Sequence, residues 1–262
     1  MVERWRRWVG ETTDHNPYIA LRIGFALVWL TYDLMDLFYG GTQGVLWLVP
    51  DQTFHRAIQL SQLGVIFCEV GLLIGWRARW FAVGALLARG LEAYIFPLND
   101  FLYYCVSVFL LAQSECSNAD RGKAVRIWPR DVFVIETAWI YLSTALMKVN
   151  TEFLSGGDLY VRQNYLATAR DWWFPDLYRQ WIAALSHNAI LAWMGVIGEA
   201  ALGAVLVAWW FWPRHRRVFF LAALGLTSAI HAFGAAMCNV FFFSASMIVQ
   251  VGCLTHTRRQ RS

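Results

Sequence analysis

The stretch Val132-Phe-Val-Ile-Glu-Thr-Ala-Trp-Ile-Tyr-Leu-Ser-Thr-Ala-Leu-Met-Lys148 is an almost continuous apolar run that ends on an amine. Its length approaches the roughly 20 apolar residues that a helix needs to cross a lipid bilayer. A lysine at membrane depth is costly, so it usually pairs, snorkels to the interface, or marks a proton or ligand path. The run therefore predicts a membrane helix whose last residue is a candidate functional group.

The composition of the whole chain agrees with this segment. Of the 262 residues, 58% are hydrophobic and 15% are charged, whereas soluble domains average about 45–50% apolar and about 25% charged. The net charge is +4, but the cations lie in short clusters between apolar runs, which argues against nucleic-acid binding. The five cysteines show no CxxC or metal-type spacing, so we expect free thiols and no metal site. These features predict an all-α polytopic membrane protein in contact with lipid.

Eight apolar segments predict eight transmembrane helices. They cover residues 18–39, 57–75, 80–97, 99–113, 131–149, 187–212, 218–236 and 238–255. Basic clusters occur at both termini and in every second connection, which by the positive-inside rule places both termini in the cytoplasm. We expect residues 1–262 to form a single transmembrane domain, integral to the plasma (inner) membrane.

The longest predicted connection, residues 150–186, mixes aromatic and charged side chains. Trp172 stands among several such aromatic residues, close to Asp171 and Asp176. This mixture is typical of an amphipathic helix that lies on a membrane surface. We expect the segment on the extracytoplasmic side, where it would serve as an interfacial anchor or as a lid over a site.

Several polar side chains are predicted to lie near the outer ends of the helices. The set comprises Asp33, Asp36, Asp100, Lys148, His231 and Asn239. Desolvation would favour the neutral form of the Lys148 amine and make it a usable base, unless a carboxylate such as Asp100 or Glu152 holds it charged. His231 has two open interpretations, as an interhelical hydrogen-bond donor or as a functional group.

A second group of ionisable residues is predicted deeper or toward the cytoplasm, where we expect structural ion pairs. The group comprises Arg22, Glu69, Arg89, Glu92, Glu136 and Glu199. Arg89 and Glu92 are three residues apart on one predicted helix, a spacing at which side chains can meet. For Arg22 we expect one of the nearby acids as partner. Pairing lowers the cost of burying a charge without implying chemistry.

The segment Tyr141-Leu-Ser-Thr-Ala-Leu-Met-Lys-Val-Asn-Thr-Glu-Phe-Leu-Ser-Gly156 resembles the signature of the vitamin K-dependent gamma-carboxylase-like membrane domain, also called the horizontally transferred transmembrane domain. That signature has a tyrosine seven residues before a lysine, an aromatic residue five after it and a glycine eight after it. The positions that fit are Tyr141, Lys148, Phe153 and Gly156. Further similarities are Leu21-Arg22-Ile23 with Asp33, Asn99-Asp100, Glu199 four residues before Gly203, and Ile230-His231 before Phe241-Phe242-Phe243.

The resemblance implies a catalytic site. In the carboxylase the matching lysine deprotonates vitamin K hydroquinone, and the oxygenation that follows drives carboxylation of peptide glutamates. By this resemblance Lys148 would be the base, and the substrate would be vitamin K hydroquinone or another quinol. We expect His231 and Asp100 to be catalytic with it, and a further set of residues to bind the substrate. That set comprises Tyr141, Asn239, Asp33, Phe153 and Trp172.

Two departures from the family pattern restrict the expected chemistry. The vertebrate carboxylase has a histidine at the position of Asp100 and a large lumenal domain that this sequence lacks, so we do not expect peptide glutamate carboxylation. Many bacterial relatives have an arginine at the position of Asn239. Bacterial members of similar size include the membrane subunit of a toxin-maturation pair. The alternative function is therefore a non-catalytic partner for a small secreted or periplasmic protein, peptide or toxin.

Overall fold

The computed structural model describes residues 12–13, 15–39, 52–95, 99–120, 123–155, 189–238 and 241–255. These residues form nine α-helices, two short 3-10 helices and one pair of two-residue strands. The α-helices are α1 (Asn16–Tyr39), α2 (Gln52–Ile74), α3 (Ala78–Ile95), α4 (Asn99–Gln113), α5 (Trp128–Met147), α6 (Thr151–Leu154), α7 (Ala189–Phe211), α8 (Arg216–Cys238) and α9 (Phe241–Thr255). Strands β1 (Thr12–Thr13) and β2 (Val125–Arg126) pair antiparallel, with Thr12 opposite Arg126. The helical class predicted from the sequence is confirmed, apart from this small strand pair.

The eight long helices correspond to the eight predicted segments, and α6 is an additional single turn. Within the described ranges, three helical segments are long and apolar enough to cross a membrane, at Asn16–Met35, Arg56–Ile74 and Ala189–Phe211. Helices α4 and α9 have 15 residues each. At a rise of 1.5 Å per residue this is about 22 Å, less than the roughly 30 Å of a bilayer core. The chain therefore has the helices of a membrane protein, whereas the eight-span topology and the side of the termini stay predictions.

Proline and glycine mark several helix ends. Pro17 and Pro129 each lie in the first turn of a helix, where the missing N–H is not needed. Helix α2 ends at Gly75, whose φ of 78° lies in the left-handed region that glycine adopts without strain. Helix α7 ends before Pro213, which starts a 3-10 turn leading into α8.

The chain divides into two compact units. Of the described residues, those up to Phe133 form the first unit and those from Val134 to Thr255 form the second. In the first unit α1 packs on α2, α2 on α3 and α3 on α4. In the second unit α7 packs on α8, and α8 on α9. Helix α5 contributes its start to the first unit and the rest to the second.

Arg22 on α1 binds the connection that follows α4, and its partners differ from those that the sequence predicted. Its guanidinium is buried and donates to the Cys116 carbonyl oxygen at 2.8 Å and to Asn118 Oδ1 at 3.1 Å. The partners in these bonds are therefore a carbonyl and an amide, and not the acid that we expected. A Cβ at Gly75 would lie 1.9 Å from the guanidinium, so this turn requires glycine.

Candidate functional site

The amine of Lys148 lies in the second unit, just beyond the end of α5. The Lys148 backbone N–H still donates to the Thr144 carbonyl oxygen, at 3.1 Å, so the chain follows the last helical turn to this residue. Nζ forms an ion pair with Glu199 Oε1 on α7. From the sequence we expect Asp100 or Glu152 as the counter-ion of this lysine, and Glu199 among the deeper structural charges. The structure instead makes Glu199 the carboxylate beside the candidate base.

Glycine at position 203 brings α7 close enough to α5 for this pairing. A Cβ at Gly203 would lie 2.6 Å from Leu142 Cγ and 3.1 Å from the Ala138 carbonyl oxygen. Both distances are shorter than ordinary van der Waals contacts, so a larger residue would separate the helices. Glu199 lies four residues before Gly203, on the same face of α7. The face that contacts α5 therefore carries both the small residue and the carboxylate.

Phe153 is placed against the lysine by the short helix α6. Asn150 caps that helix, since its side-chain Oδ1 accepts from the Phe153 backbone N–H at 2.8 Å. The centroid of the Phe153 ring then lies 5.6 Å from Lys148 Nζ. A cation this close to an aromatic ring is attracted by the negative face of the ring. The aromatic position of the sequence motif thus lines the lysine site.

Tyr141 and His231 form the second polar contact in this unit. The Tyr141 hydroxyl is hydrogen bonded to His231 Nε2, and both side chains are buried. Tyr141 precedes Lys148 by seven residues, or about two helical turns. Beside His231, Ile230 packs on Gly198 of α7, where a Cβ would be 3.3 Å from the isoleucine side chain.

The exposure of the ion pair decides whether a ligand can contact it. The Lys148 side chain is 33% exposed and the Glu199 side chain is 12% exposed. The pair is thus shielded from most of the solvent, and part of the lysine stays accessible. Because opposite charges favour the ionised forms of both groups, we take the resting pair as an ammonium and a carboxylate. The arrangement can exchange a proton without changing its total charge.

Asp33, predicted to bind substrate, lies instead in a buried charge cluster of the first unit. Arg89 on α3 is ion-paired with Asp33 on α1 and with Glu92, three residues further on the same helix. The guanidinium carbon also lies 4.7 Å from the Phe101 ring centroid and 4.8 Å from that of Tyr104. The Arg89–Glu92 contact is the one that the spacing indicated.

The remaining predicted site residues are placed only in part. Asp100 is the second residue of α4, in the first unit, and its side chain lies outside the described residues. Asn239 and Trp172 also lie outside them. Glu136 is on α5 and half-buried, and its Oε2 has no hydrogen-bond partner among the described residues. The structure therefore brings together Lys148 with Phe153 and Tyr141 with His231, and it adds Glu199.

One signal in the sequence could have identified Glu199. It is the one charged residue in the 23 residues of α7, and a lone carboxylate in an apolar helix requires a partner. The sequence alone does not identify the cation that pairs with Glu199.

Comparisons with protein-family models, with curated proteins and with solved structures give no match to this chain. The resemblance of the Tyr141 to Gly156 segment to the carboxylase-like membrane domain therefore stays a prediction.

Proposed function

We propose that this chain is a multi-pass protein of the inner membrane that uses Lys148 to deprotonate a lipid-soluble quinol, such as vitamin K hydroquinone. Three apolar helices of spanning length support the membrane location. The observation that carries the chemical proposal is the Lys148–Glu199 ion pair, which the motif residue Phe153 contacts. The resemblance adds molecular oxygen as the co-substrate, and the distribution of basic clusters favours cytoplasmic termini.

The ion pair changes how a lysine base would work. In the resting state the ammonium has no free electron pair, so it cannot accept a proton directly. In the proposed step Lys148 passes a proton to the Glu199 carboxylate, and the neutral amine takes the proton from the quinol O–H. The products are a phenolate, an ammonium and a carboxylic acid, and the total charge is unchanged. Lysine has thus exchanged one anionic partner, the carboxylate, for another, the phenolate.

The adjacent ammonium lowers the free-energy cost of forming the phenolate. The phenolate formed in a site of low polarity is stabilised by the adjacent ammonium, because opposite charges attract more strongly there than in water. The Phe153 ring can stack on an aromatic quinol as well as contact the lysine. The hydrogen bond between Tyr141 and His231 would keep α5 and α8 in place beside the site.

The chain offers a matched control for the test, because it has two lysines, Lys123 and Lys148. Lys123 is 64% exposed and pairs with Asp120 in a connection of the first unit. The protein, in lipid nanodiscs, is supplied with vitamin K hydroquinone and oxygen, and oxidised products are quantified by chromatography. Lys148→Met should reduce turnover by at least about 100-fold, the usual contribution of a positioned acid or base, whereas Lys123→Met should not change it.

Two results would contradict the proposal. One is a Lys148→Met protein that is folded, as judged by its melting curve, and keeps full quinol turnover. The other is a wild-type protein that turns over none of the quinols tested but co-purifies with a small secreted or periplasmic protein. Loss of that partner in Lys148→Met would instead favour the non-catalytic maturation role.

A further inference from the structure

The buried charge cluster of the first unit contains more acids than its arginine can balance. Asp33, Glu69 and Glu92 come from three different helices, and Arg89 is the cation that contacts the cluster among the described residues. All four residues are at most 4% exposed. If every acid were ionised, this region would have a net charge of −2. A buried excess of negative charge of this size is strongly unfavourable.

Glu69 is the acid that Arg89 does not pair with. The arginine donates to Asp33 Oδ2 and Glu92 Oε2. Glu69 is 0% exposed, and neither of its oxygens has a hydrogen-bond partner among the described residues. Asp33, Arg89 and Tyr104 all lie within electrostatic reach of it. The environment thus contains one carboxyl group without a counter-ion of its own.

The polar atoms around Glu69 also show a shortage of donors. Glu69 Oε1 and Oε2, Asp33 Oδ1 and Glu92 Oε1 are buried acceptors without partners among the described residues. The Tyr104 hydroxyl is buried without a partner as well. A metal ion is a poor candidate, because the described residues contain no acidic or histidine group arranged to hold one. A proton adds a donor and removes a negative charge at the same time.

We propose that Glu69 is a proton-binding site that is occupied at neutral pH. The proton comes from water and bonds to one Glu69 oxygen, which converts a carboxylate acceptor into a hydroxyl donor. The protonated Glu69 can donate to Asp33 Oδ1, and the Tyr104 hydroxyl can donate to the other Glu69 oxygen. Protonable carboxyl groups inside membrane helix bundles are the usual elements of proton pathways. This site lies in the first unit and does not depend on the chemistry proposed for Lys148.

Infrared spectroscopy of the full chain tests the proposal directly. In a detergent without ester groups and near neutral pH, the wild-type protein should show the C=O stretching band of a protonated carboxylic acid. In heavy water that band should move to lower frequency. Glu136 is a second acid with a buried oxygen that has no partner among the described residues, so Glu69 is tested in the Glu136→Gln background. There Glu69→Gln should lose the band, because glutamine has the shape of the protonated acid without its carboxyl group. Glu136→Gln alone, and Asp33→Asn or Glu92→Gln in that background, should keep it.

Thermal unfolding supplies a second measurement. Glu69→Gln should melt close to the wild-type temperature, whereas Asp33→Asn and Glu92→Gln should melt lower, because they each remove a partner of Arg89. A wild-type spectrum without an acid band overturns the proposal, whether or not the variants fold. A band that survives when Glu69→Gln is combined with Glu136→Gln also overturns it. If Glu69→Gln does not fold, the band must persist in all three other variants, and its loss in any of them assigns the proton elsewhere.

Discussion

Lys148 and Glu199 form an ion pair between residues 51 positions apart in the chain, which joins the end of α5 to the middle of α7. The lysine belongs to the motif that suggested a function, whereas the acid lies in an otherwise apolar helix. Because the two charges cancel, the pair can be held at low polarity at a smaller cost than either charge alone. The pair also fixes how α5 and α7 meet on the side of the candidate site.

The first prediction concerns the strength of this pair. Glu199→Gln and Lys148→Met should each lower the free energy of unfolding, by about 1–2 kcal/mol, because each leaves a shielded charge without its partner. The double variant should lose less than the sum of the two, with a coupling energy of about 1 kcal/mol. Denaturant unfolding of the wild type, the two single variants and the double variant in detergent micelles measures this coupling energy. Single-variant effects that add to within about 0.3 kcal/mol would show that the two groups do not interact.

The second prediction concerns the glycine that lets α7 approach α5. Gly203→Ala should destabilise the protein by about 1–3 kcal/mol, because its Cβ would overlap the Leu142 side chain. Gly195→Ala is the matched control on the same helix, since a Cβ there meets no atom within 4 Å. It should be neutral or stabilising by up to about 1 kcal/mol, because alanine favours helix over glycine. Both values come from unfolding curves measured side by side.

Gly203→Ala should also reduce quinol turnover if the proposed function holds, because Glu199 would move away from the amine. Equal melting behaviour of the two alanine variants would mean that α5 and α7 are not in the close contact described here.

The helices were predictable because their signal is local. An apolar run bounded by basic clusters, proline or glycine specifies a helix from its own residues, and so α4 begins and ends where the sequence indicated. The Arg89–Glu92 contact was predictable for the same reason, since three residues along a helix places two side chains together.

The ion pairs between helices were not predictable in the same way. The partner of Lys148 depends on which faces of α5 and α7 meet, and a single sequence does not report that choice. Arg22 illustrates the same limit, because its partners are a carbonyl and an amide in a connection more than 90 positions away. The deeper predicted group has four acids and two cations, and only packing selects which of them meet. The motif around Lys148 therefore indicated a candidate site, while the partner of the lysine had to come from the structure.

The third prediction concerns Arg89, whose planar guanidinium donates to Asp33 and Glu92 and lies over two aromatic rings. Arg89→Lys keeps the charge but cannot donate to both carboxylates in the same geometry or stack on the rings. Arg89→Met leaves the carboxylates buried without a cation, and we expect it to lower the free energy of unfolding by about 3–5 kcal/mol. The free energy of unfolding of Arg89→Lys should lie between those of Arg89→Met and the wild type.

Arg79 provides the control for Arg89, because it lies on the same helix and is exposed. Arg79→Lys should change stability by less than about 0.5 kcal/mol, as surface substitutions usually do. Denaturant unfolding followed by circular dichroism ranks the variants. An Arg89→Lys protein as stable as the wild type would show that only the charge at this position matters. An Arg89→Met protein as stable as the wild type would mean that Asp33 and Glu92 are themselves protonated, so that neither needs a counter-ion.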